Sequence, residues 1–260
     1  MKALRWVNLV IFVLMVGLNY YAGYFEINGN TVGTVSDTIP SLFTPSGYVF
    51  SIWAIIYTGL AAFVIYGVNK KQQDNPLYDR IGPWFLINSF FNMAWLVVWL
   101  NEMWLVSFVL MLAILGTLII TYVRLNAHRE DIRGKDFWFI LAPFSVYLAW
   151  ISVATIANTS VIFVANGFTE LGVNGTFWTV IMMIVAALLS NLMVGLRRDW
   201  FFSWVVIWAI IGIGVANSGN LPIVITSIAV AVEQVFVLWY LRDNRPIPLF
   251  LRYKTKKVEA

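Results

Sequence analysis

All 17 Lys and Arg residues of this chain lie before the first apolar run or after every second one, and that distribution constrains the fold more than any single motif. The runs are Trp6 to Tyr24, Tyr48 to Val68, Pro83 to Leu100, Met103 to Val123, Phe137 to Val161, Phe177 to Leu196, Trp200 to Asn217 and Leu221 to Leu241. Each is near the roughly 20 residues that cross a bilayer core. Lipid leaves no unpaired backbone group satisfied, so segments of this length and composition are expected to be helices, eight in all. The basic residues precede the first segment or follow the second, fourth, sixth and eighth. With both termini inside, a 17 to 0 split places every one of them on the cytoplasmic side. A missed helix would have scattered the later charges to both faces. The chain is 60% hydrophobic and only 12% charged, with a mean hydropathy of +0.79, as an integral membrane protein requires.

The same residues exclude other classes. There is no Cys and the only His is His128, so no disulfide, thiolate nucleophile or multi-His metal centre is expected. The net charge of +4 reports orientation rather than nucleic acid, because it resides in short loops and in the tail. His128 lies among charges in an inner loop and reads as solvated. The first segment follows a basic Met1 to Arg5 but precedes no clear small-residue cleavage site, so it reads as an uncleaved helix. Of the outer loops, only Phe25 to Gly47 and Ile162 to Thr176 are long enough to form a cover.

Three segments carry aromatic and polar residues at helical spacing. The second, introduced by the Pro- and Gly-containing stretch Pro40 to Tyr48 with Thr44 or Ser46 as candidate caps, has Phe50, Trp53 and Tyr57. The third has Asn88, Asn92, Trp95 and Trp99, and the fifth has Tyr147, Trp150, Ala154 and Asn158. At 1.5 Å per residue, Trp53 and Trp95 lie about 7 Å below the outer ends of their helices, and Asn92 and Tyr57 about 12–13 Å. Stripes at these depths facing one another would wall a pocket under the outer loop. Taken alone, the same spacing fits an interfacial aromatic belt and Asn residues that bond helix to helix.

The motifs add to this. Thr44-Pro45-Ser46-Gly47-Tyr48-Val49-Phe50, followed by Trp53 and Tyr57, resembles the signature of the TspO/MBR family of tryptophan-rich sensory proteins. Asn92-Met93-Ala94-Trp95 and Tyr147-Leu148-Ala149-Trp150, with Ala154 and Asn158, resemble two further motifs of that family in the right order. Phe43 and Tyr48 stand where the family usually has Trp, and Ser46 and Val146 where it usually has Pro. The resemblance implies an all-α bundle of five helices over residues 1–161 that binds tetrapyrroles and other flat hydrophobic ligands. It implies ligand contacts by Trp53, Tyr57, Asn92, Trp95, Tyr147, Trp150, Ala154 and Asn158, and it requires no cofactor beyond such a ligand. Residues 162–241 would then be three additional transmembrane helices and 242–260 a basic cytoplasmic tail.

The function expected from these features is that of a receptor, sensor or carrier. Trp204 and Trp208 of the seventh segment, outside the family-like unit, are expected to be indifferent to the ligand. Gly212 and Gly214 read as close helix packing. An alternative rests on Glu233, 12 residues past Leu221 and about 18 Å below the outer surface, where an unpaired charge is costly and a proton site of a secondary transporter is the functional reading. Its other reading is a hydrogen bond to Ser190 or Asn191. A tetrapyrrole-modifying enzyme is a third alternative, for which no catalytic nucleophile and base pair or metal site is visible. The expected partners are the lipid bilayer and a hydrophobic small molecule, with a homodimer left open and no nucleic acid. The expected location is the plasma membrane, crossed several times.

Overall fold

A computed structural model describes residues 2–39, 41–126, 132–165 and 174–241. His128, Arg129 and the basic tail lie outside the described residues. The protein is all-α, with helices α1 (Lys2–Phe25), α2 (Val32–Thr38), α3 (Ile52–Val68), α4 (Pro76–Ile81), α5 (Trp84–Leu100), α6 (Trp104–Asn126), α7 (Ala142–Ala165), α8 (Gly175–Arg197), α9 (Trp200–Ala216) and α10 (Leu221–Leu241). Eight of these coincide with the eight apolar runs. Six, extended by the turns that flank them, are long and apolar enough to cross a membrane; α5 and α9 are shorter, at 17 residues each.

The two helices that hydropathy does not reveal are polar and short. Thr31 caps α2 through a reciprocal bond with Thr34. Asn75 caps α4, with Pro76 at its first position, and Gly82 ends it at a φ of 53°. The entry to α3 also differs from the expected side-chain cap. A 3-10 turn, Gly47–Ser51, leads into the helix, and Ser46 makes no side-chain cap bond.

Helices α5 and α6 pack on each other, as do α6 and α7, while α1 lies against α3 and α5. Helix α9 packs on α7, α8 and α10 and is apolar nearly all round, with Trp204, Ile211 and Val215 exposed on its remaining face. One hydrophobic core runs from Met15 and Phe63 through Phe144 and Ile151 to Met183, Phe202 and Ile210, so the last three helices share the core of the first five. At the end that carries the described basic residues, Arg5 is buried, donates to the carbonyls of Gln72 and Asn75, and lies 4.8 Å from the Tyr78 ring centre. Asp199 is buried there too. It accepts from the Tyr122 and Ser145 hydroxyls and from the Phe202 N–H, which caps α9 and ties it to α6 and α7.

Candidate functional site

The three aromatic stripes converge at the opposite end. Trp53 of α3 stacks on Tyr57 with ring centres 5.3 Å apart, and presents an edge-on contact to Trp150 at 6.5 Å and to Tyr147 at 5.9 Å. Phe50 meets Trp150 edge-on at 6.0 Å, and on α5 Trp95 stacks on Trp99 at 5.6 Å. Two cavities lie among these rings and share a wall of Val32, Phe50, Trp53 and Trp95. The larger, about 440 Å³, is completed by residues of α1 and by Tyr57, with Gly47 at its edge. The smaller, about 50 Å³, lies between Trp99, Met111, Trp150, Ala154 and Asn158 and is also lined by Thr44 and Pro45.

Six of the eight residues expected from the sequence therefore line this space: Trp53, Tyr57, Trp95, Trp150, Ala154 and Asn158. Asn92 and Tyr147 do not. The Asn92 amide donates to the Tyr147 hydroxyl at 3.0 Å and its oxygen accepts from Asn19 at 3.3 Å, so α1, α5 and α7 are joined behind the wall. That is the helix-bonding role the spacing also allowed, and Tyr147 supports Trp53 from the rear. Asn88 is likewise occupied, donating to Thr117 at 2.8 Å. Asn158 keeps its oxygen engaged by Ser107 at 2.8 Å.

Two polar atoms remain unsatisfied at the site. The indole nitrogens of Trp95 and Trp150, in residues only 6% and 3% exposed, are buried and have no hydrogen-bond partner among the described residues. A buried donor left without an acceptor costs about 1–3 kcal/mol. Both residues line the smaller cavity.

Sequence reasoning missed the contribution of the first two helices. Val16, Asn19 and Tyr20 of α1 and Val32, Gly33 and Ser36 of α2 line the cavities. The signal available was the placement of Asn19 and Tyr20 near the outer end of the first apolar run. Trp204 faces outward and is 55% exposed. Trp208 is different, because its indole N–H donates to the Val49 carbonyl at 3.1 Å, next to the cavity wall. Glu233 is held by Asn191, which donates to it at 2.7 Å, and by its neighbour Gln234, also at 2.7 Å. Ser190 instead donates to the fully buried Gln234, a residue whose importance its neutral side chain did not signal.

Apolar helices of spanning length and an aromatic chamber beside the segment that precedes α3 define the class: a multi-pass membrane protein with a cavity. Comparison with protein families refines this. The model for TSPO-like protein matches residues 5–240, and the chain belongs to that family. The match continues beyond the five-helix unit to the end of α10. No curated protein and no solved structure matches the chain.

Proposed function

We propose that this protein is a receptor or carrier for a flat, hydrophobic aromatic ligand such as a tetrapyrrole, bound in the paired cavities between α1, α2, α3, α5 and α7. The observation that carries the reading is a chamber walled by aromatic rings, two of which, Trp95 and Trp150, have buried indole N–H groups without acceptors among the described residues. Rings on two sides suit a planar ligand, and two fixed donors suit a carboxylate or carbonyl at its rim. The larger cavity falls within the few hundred cubic ångströms usual for small-molecule sites. Titration of purified protein with protoporphyrin IX, read by tryptophan quenching, tests it. Saturable binding that weakens in Trp150→Ala but not in Trp204→Ala supports the reading, whereas equal losses in both variants refute it.

In this reading the cover faces outward, both termini are cytoplasmic, and all eight apolar helices cross the plasma membrane. A cysteine at Asn30 then labels from outside intact cells with an impermeant reagent and one at Gln72 does not; labelling at Gln72 overturns the orientation.

A second reading is favoured by the bonds to Glu233. Its carboxyl group is held by two amides, and no cationic partner is seen for it among the described residues, an arrangement suited to proton-coupled transport. Uptake driven by a proton gradient and lost in Glu233→Gln would establish it. Uptake unchanged in that variant would remove it.

A further inference from the structure

The segment between α2 and α3 has two faces. Toward the cavities it presents Thr44, Pro45, Gly47 and Phe50. Toward α9 it presents backbone groups, and each has a partner there. The Ser46 N–H donates to the Gly212 carbonyl at 3.1 Å, the Val49 carbonyl accepts from Trp208, and the Leu42 carbonyl accepts from the Asn217 amide at 2.9 Å. The Trp208 ring also meets Tyr48 edge-on at 5.3 Å. Gly212 permits this approach, because a methyl group on its α-carbon would overlap Val49 and touch Pro45.

We infer that α9 sets the position of the cover over the ligand site, so that Trp208, Gly212 and Asn217 are positioning residues for binding and the last three helices belong to the binding unit. The inference rests on the ligand site proposed above. Irregular backbone at membrane depth is tolerated only where protein or water satisfies it, and α9 supplies three of the bonds this segment needs. The helix is itself held fast. Asp199 secures its inner end, Ser203 donates to Gln234 at 2.8 Å, and Gly214 lies so close to Ser227 of α10 that no side chain would fit between them. A shift of Pro45 or Phe50 relative to α9 would change the gap above Trp150, and with it the size of ligand admitted.

Three variants of the full-length protein in detergent test this, with protoporphyrin IX as the probe and hydrogen–deuterium exchange of residues 41–50 as a second readout. Gly212→Ala adds the methyl group that collides with Val49; it should weaken the probe about tenfold and raise exchange in 41–50. Trp208→Phe keeps a ring but removes the bond to Val49, and should do the same to a lesser degree, about threefold. This milder change keeps the test open should Gly212→Ala fail to fold. Trp204→Ala, on the outward face of the same helix, should change neither readout. Saturating probe should lower exchange in 41–50 of the wild type. Raised exchange in Trp208→Phe with unchanged affinity would overturn the inference while leaving the ligand site intact. Unchanged exchange and affinity in Gly212→Ala and Trp208→Phe would also overturn it. Loss of the site itself would be seen separately, as probe binding indifferent to Trp150→Ala, and the inference would fall with it.

Discussion

Helices α3, α5 and α7 each contribute aromatic rings at two depths, and the two clusters are built differently. Near the basic end, Phe63 stacks on Tyr78 at 5.1 Å and meets Phe85 and Phe144 edge-on at 5.2 and 5.0 Å. The Tyr78 hydroxyl donates to the Phe63 carbonyl at 2.8 Å and the Ser89 hydroxyl to the Phe85 carbonyl at 2.9 Å. Near the cover, Phe50, Trp53, Trp95 and Trp150 touch one another less completely, enclose open volume and leave two indole donors without acceptors. Dense packing with the ring hydroxyl paired serves stability. Open volume with unpaired donors lowers stability and is expected where a ligand completes the structure.

The contrast can be broken by substitution. The largest effect is expected at the inner cluster: Phe63→Ala should cost about 3–5 kcal/mol of stability, read by unfolding in detergent, and should not alter ligand preference. At the outer cluster substitution should affect binding as well as stability. Ala154→Phe fills the smaller cavity and should weaken probe binding by about 1–3 kcal/mol, the scale of an overpacked site. Trp95→Ala and Trp150→Ala should each weaken it by about 1 kcal/mol, an aromatic contact's worth, on top of a stability loss of up to about 3–5 kcal/mol for truncating a buried aromatic. Asn158→Leu should change the ranking among ligands more than the affinity for any one, because it removes a polar group from an aromatic wall. The smallest effect belongs to Trp204→Ala, within about 0.5 kcal/mol in both readouts. If Phe63→Ala altered ligand preference as strongly as Trp150→Ala, the division between packing and binding clusters would fail.

Much of this was legible in the sequence for a physical reason. A bilayer demands apolar runs of fixed length, so the eight long helices stand out, and period-3.6 spacing places Trp53, Trp95 and Trp150 on inward faces. What spacing could not decide is which side of an inward face looks into the cavity. Asn92 and Trp95 are three residues apart, yet Asn92 is taken up by Asn19 and Tyr147 while Trp95 lines the space. Helices α2 and α4 are too short and polar to be seen by hydropathy. The contact of Trp208 with Val49 joins residues 159 apart in sequence, and only packing brings them together. Glu233 was conspicuous because charge is rare at that depth, whereas Gln234, with more partners, was not.

The central claim, that the Trp95 and Trp150 indole donors await an acceptor carried by the ligand, can be tested by NMR of protein labelled with ¹⁵N at the tryptophan indoles. Signals are assigned through Trp95→Phe, Trp150→Phe and Trp204→Phe. On addition of protoporphyrin IX the account predicts downfield shifts of the Trp95 and Trp150 indole protons, as new hydrogen bonds form, and an unmoved Trp204. Saturable binding that leaves the Trp95 and Trp150 protons where they were would contradict it.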